Sequence, residues 1–113
     1  MKYQNVLQMV AFSPDKMKKM GLLDTRHLFC DIYCFEPGQV QKPHAHHESD
    51  KVYFVLQGKG MFKIGEEEKE LSEHHITLAP AGVEHGVTNH GNQRLVLLVL
   101  MAPNPNVPHS HSH

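Results

Sequence analysis

Eleven histidines stand in this chain of 113 residues, as many as its lysines and arginines together. Three of them are spaced for chemistry. His44 and His46 lie two apart, so in a strand both imidazoles leave the same face and can grip one ion. Pro43 before them favours an extended backbone, and Gly38 opens the run. His85 follows 39 positions beyond His46, at the end of Pro80-Ala81-Gly82-Val83-Glu84-His85, where a turn feeds another strand. Neutral imidazole suits Fe, Mn, Ni, Cu and Zn, and three nitrogens leave coordination positions open for a substrate or water. A His-x-His pair alone also describes a solvated strand face, so its context decides.

The other histidines read as surface. His47 points to the opposite strand face from the pair, His74, His75 and His90 sit at turns, and His27 precedes an apolar run. His109, His111 and His113 alternate with serine at the chain's end, where they form a loose tail that can collect metal adventitiously.

Positioning such residues requires a core, and the composition provides one. Hydrophobic residues make up 40% and charged residues 20% of the chain, which suits one globular domain. The net charge of -1 leaves no basic surplus for a nucleic-acid backbone, so no nucleic-acid partner is expected. The longest apolar run, Leu95 to Ala102, falls well short of the ~20 residues of a membrane helix. No signal-peptide pattern opens the chain, and a cytoplasmic location is expected. Cys30 and Cys34, in a strand, would lie roughly 13 Å apart, beyond disulfide reach. They read as small buried thiols.

The chain divides into three stretches. Residues 1–27 read as an N-terminal arm and a short helix. Tyr3 to Phe12 forms the arm or a strand, and the helix spans Pro14 to Met20, capped by Ser13 and stopped by Gly21. From Leu28 to Ala102 short β-rich runs alternate with turns: Leu28–Phe35, Val52–Leu56, Met61–Ile64, Ile76–Leu78, Gly86–Thr88 and Leu95–Met101. The acidic run Glu66 to Glu68 reads as a solvated hairpin tip. This spacing predicts an all-β sandwich or barrel. Residues 103–113 read as a disordered tail. Tyr53 and Val55 alternate with Phe54 and Leu56, and Leu95–Met101 is apolar throughout. Two apolar faces predict a homodimer with packed sheets.

The two histidine clusters sit in patterns that resemble the cupin superfamily. Its first motif runs Gly, five residues, His-x-His, three or four residues, Glu, six residues, Gly; Gly38, His44, His46 and Gly58 fall in place. Its second runs Gly, five residues, Pro-x-Gly, two residues, His, three residues, Asn; Pro80, Gly82, His85 and Asn89 match. The resemblance implies a small jelly-roll-like barrel, the double-stranded β-helix of two antiparallel sheets. It also implies one divalent transition metal per chain, held by His44, His46 and His85.

Two positions depart from the pattern. His74 replaces the opening Gly of the second motif, and Lys51 replaces the first motif's Glu. An ammonium beside a divalent cation repels it, which leaves three arrangements open. Lys51 points away while Glu48 or Asp50 supplies a carboxylate; the site is a bare three-histidine one; or the barrel holds no metal and Lys51 holds an anionic ligand. Tyr53 is a further candidate contact. The functional expectation is a metal-binding barrel with a small polar ligand or substrate inside. A metal-dependent dioxygenase, isomerase or decarboxylase acting on a small oxygenated molecule is the alternative, and a metal-free binding module using Lys51 is the second.

Overall fold

The structure, a computed structural model, describes residues 1–107; the tail histidines His109, His111 and His113 lie outside the described residues. The described strands are β1 (Lys18–Asp24), β2 (Phe29–Phe35), β3 (Val40–His44), β4 (Asp50–Gln57), β5 (Lys59–Ile64), β6 (Glu67–Ser72), β7 (Ile76–Ala79), β8 (His85–Thr88) and β9 (Leu95–Ala102). They build two antiparallel sheets, one ordered β1-β2-β9-β4-β7 and the other β3-β8-β5-β6. The two sheets face each other as the expected jelly-roll barrel.

Strand alternation divides the side chains between two layers. Tyr33 and Phe35 of β2, Tyr53 and Val55 of β4, and Leu95, Leu97 and Val99 of β9 point inward, onto Phe62 and Val87 of the smaller sheet. The opposite faces of the same strands carry Cys30, Ile32, Cys34 and Val96. β9 is apolar throughout because, in mid-sheet, it is packed on both sides. The outer layer is covered by the chain itself: Val6, Met9, Val10 and Phe12 pack over it. Both cysteines are free and buried there, and burial raises their thiol pKa values.

Three sequence expectations change. Pro14 to Met20 is not a helix; bends lead directly into β1, where Lys18 pairs with Cys34 and Met20 with Ile32. Met20 and Leu22 alternate with exposed neighbours, and this two-residue period, matched to a waiting edge of β2, outweighs a capping signal over a few residues. The one short helix among the described residues is a 3-10 turn at Val6–Met9, capped by Asn5, whose Oδ1 accepts from the Leu7 N–H at 3.0 Å. Glu67 and Glu68 are not part of a hairpin tip; they open β6, an edge strand too polar to announce itself. Finally, the segment after Ala102 stays attached through residue 107. Asn104 is fully buried, its side chain donating to Asp24 Oδ1 at 2.7 Å and Thr25 O at 2.8 Å.

Candidate metal centre

His44 ends β3, His85 opens β8, and the two are register partners across the smaller sheet. The register slips between Gln41 and His44, an irregularity of the kind that re-aims a side chain. Close approach of the strands depends on Gly86. A Cβ there would meet Gln41 O at 2.9 Å and the Pro43 nitrogen at 3.0 Å. His46 lies beyond the end of β3, so a shared strand face is not what unites it with His44. Instead its carbonyl accepts from the Gly82 N–H at 2.7 Å, tying the loop of the first motif to the turn of the second.

The ligating atoms of His44, His46 and His85 all lie within 4.8 Å of one another. Ring centroids are 4.8 Å apart for His44–His46, 4.6 Å for His44–His85 and 5.8 Å for His46–His85. Two rings are oriented by the backbone: His44 Nδ1 sits 3.0 Å from Lys42 O, and His85 Nδ1 2.9 Å from Val83 O. A carbonyl only accepts, so each Nδ1 carries the proton and each Nε2 a lone pair, the tautomer a metal needs. His85 is 1% exposed, and its Nε2 has no hydrogen-bond partner. An unmade bond at such a buried atom costs about 1–3 kcal/mol.

Electrostatics keep these rings neutral. Burial lowers the pKa of all three, and the nearby Lys51 charge adds to the effect in each. His85 is lowered to about 4. Three neutral imidazoles, two of them with Nε2 left as the lone-pair nitrogen, therefore fit a divalent transition metal, and the orphaned His85 nitrogen is what such an ion would satisfy.

Lys51 does not point away. It lies on the inward face of β4 with Tyr53 and is 1% exposed. Its Nζ stands 4.9 Å from the Tyr33 ring centroid and 5.2 Å from that of Tyr53. Burial, with Lys19 adding to it, lowers its pKa from an ordinary 10.5 to about 7. Glu48 and Asp50 are exposed and outside the histidine group, and Asp50 Oδ1 accepts from the Ala81 N–H at 2.9 Å. Neither of those two residues takes the place of the motif carboxylate. Tyr53 does reach the site. Its ring centroid is 6.2 Å from that of His85, and its hydroxyl donates to Gln41 Oε1 at 2.8 Å.

Two residues of this region escaped sequence reasoning. Gln41, 5% exposed, keeps its Nε2 buried and unpartnered. The signal was present: it alternates with exposed Val40 and Lys42, but an inverted pattern of apolar outside and amide inside is not one that periodicity favours. Asp31 is half-buried within an otherwise apolar β2; burial raises its pKa, and Lys19 and then Lys51 act to lower it. Asn89, the last residue of the second motif, is an anchor. Fully buried, it donates to Phe35 O at 3.2 Å and Gln93 O at 2.8 Å.

The barrel agrees with the comparisons. The chain belongs to the cupin family, whose domain model matches residues 31–101. It is 32% identical over 86 residues to a Streptomyces coelicolor protein, covering 74% of this chain and 78% of that one. It superposes on a crystal structure from Thermus thermophilus with a TM-score of 0.91 and 38% identity, covering 93% of this chain and 100% of that one. A Klebsiella pneumoniae protein with a double-stranded β-helix domain shares the fold at TM-score 0.86 and 22% identity, with 96% and 94% covered. No helix among the described residues is long and apolar enough to cross a membrane.

Proposed function

We propose that this chain binds one divalent transition metal through His44, His46 and His85 and holds a small polar molecule against it. The observation that carries this reading is the buried, unpartnered Nε2 of His85, aimed at two further imidazoles. A metal so held supplies Lewis acidity and open positions for a ligand's oxygens. The chain's own part is to orient two of the rings through Lys42 O and Val83 O and to keep all three unprotonated. To test the reading, the full chain carrying His109, His111 and His113 as serine is titrated with zinc and counted by native mass spectrometry. One zinc per chain, lost in His46→Ala, is expected; retention of stoichiometry and affinity in His46→Ala contradicts the ligand set.

Turnover by the loaded protein is the second reading, and Lys51 favours it. A buried amine with a pKa of about 7 can take up or release a proton at neutral pH. Conversion of a co-purifying molecule, abolished by chelator, would establish an enzyme. A ligand left unchanged would establish a binding module.

A further inference from the structure

We infer that the molecule held at this site carries an anionic oxygen set against the Lys51 ammonium and the Gln41 amide. The class that fits is a small carboxylate with a second oxygen beside it, such as a 2-oxo or 2-hydroxy acid. The second oxygen rests on the metal reading above; the carboxylate contact stands on Lys51 and Gln41 alone.

Lys51 is a buried cation with no ion pair among the described residues. Groups around it come from every neighbouring element: Lys19 of β1, Asp31 and Tyr33 of β2, Tyr53 of β4, and the three histidines. Asp31 is the carboxyl among these groups, and it is outside ion-pair distance of Lys51, while Lys19 is exposed. The buried Lys51 amine therefore has no counter-charge at ion-pair distance, a place that an anionic oxygen would fill.

Gln41 gives the independent observation. Its Oε1 is taken by the Tyr53 hydroxyl, and its buried Nε2 has the Tyr33 phenol as a neighbour but makes no hydrogen bond of good geometry. Lys51 and Gln41 both border Tyr53, and an acceptor that would serve the amide and draw the amine is a carboxylate oxygen. Lys51 and His85 are each 1% exposed, whereas His44 and His46 are half-buried. His44 and His46 are therefore the side from which a ligand reaches the site.

The probe is oxalate, compared with oxamide, a neutral molecule of the same shape. Both are titrated by calorimetry into the chain with its tail histidines replaced by serine, zinc-free and zinc-loaded. Oxalate is expected to bind at least tenfold more tightly than oxamide in both forms. Lys51→Met should cost oxalate at least tenfold without lowering the zinc stoichiometry. Equal oxalate affinity in Lys51→Met, or no oxalate binding to either form, overturns the inference. Should Lys51→Met not fold, the ε-carbon resonance of Lys51 in 13C-labelled wild type decides: it moves with oxalate and not with oxamide, or the inference fails. A chain that takes oxalate through Lys51 but no zinc defeats the metal reading and upholds this one. A zinc-loaded chain indifferent to Lys51 does the reverse.

Discussion

At the scale of single residues, Lys51 is the buried amine of the site, and its charge adds to what burial does to the three histidines. Its pKa falls from 10.5 to about 7 because burial penalises the ammonium, and the consequence for stability has a definite sign. Below pH 7 both folded and unfolded chains carry the charge, and the folded chain bears the full burial penalty. Between about pH 7 and 10.5 the unfolded chain alone keeps the proton, so this residue's penalty shrinks as pH rises. Lys51→Met should therefore be more stable than wild type below pH 7, by up to about 5 kcal/mol, since each tenfold weakening of proton binding is worth roughly 1.36 kcal/mol. The gap should close by about pH 10.5. Urea melts of the metal-free proteins in the absence of added carboxylates measure it, and a gap independent of pH would contradict this account of Lys51. Restoring the carboxylate of the family motif is the companion prediction. Lys51→Glu removes the repulsion felt by all three histidines and should tighten zinc binding at least tenfold in the same native-mass titration.

At the scale of elements, the motif positions explain themselves through backbone geometry. His74 stands where the second motif has Gly, and its φ of 72° is left-handed. Glycine takes that conformation without the Cβ clash, so His74→Gly should stabilise the chain by about 1 kcal/mol, read from the urea midpoint. Its ring stacks on Phe54 at 6.4 Å, and loss of that contact sets the limit on the gain. Gly86 works the other way. Gly86→Ala forces β3 from β8 and separates His44 from His85, so zinc affinity should fall along with stability. Unchanged affinity would mean that the strand pairing does not position the ligands. These elements also show what the sequence could convey. The inward strands were legible because burial on one face writes a period of two, as in Tyr53 and Val55. β1 and β6 were not. β1 opens on exposed lysines a few residues after the cap-like Ser13-Pro14, and β6 is nearly all exposed, so pairing with a neighbour, which local sequence does not encode, decides both. The three histidines are legible through motif spacing rather than strand periodicity, since His46 lies in a loop. Lys51 stands out in the sequence as a departure, but its inward direction depends on β4 beginning at Asp50.

At the scale of the whole molecule, the N-terminal residues and the outer sheet settle how much apolar surface is left for a partner. Val6, Met9, Val10 and Phe12 cover β2 and its neighbours, so part of the surface that argued for a homodimer is already occupied within the chain. What stays open lies toward β7, where Ile76 is 66% and Leu78 48% exposed, register partners of Phe54 and Val52. A homodimer through this remaining patch is the proposal. Ile76→Lys with Leu78→Lys should convert a dimeric light-scattering mass to a monomeric one, whereas a wild-type monomer stable to concentration would end it. Metal binding by the three histidines has a more direct test. Crystals of the zinc-loaded protein, measured on both sides of the zinc absorption edge, should show one anomalous peak per chain. That peak should lie about 2.0–2.1 Å from a ring nitrogen of each of His44, His46 and His85. Zinc found elsewhere, with nothing between these three rings, would contradict the account.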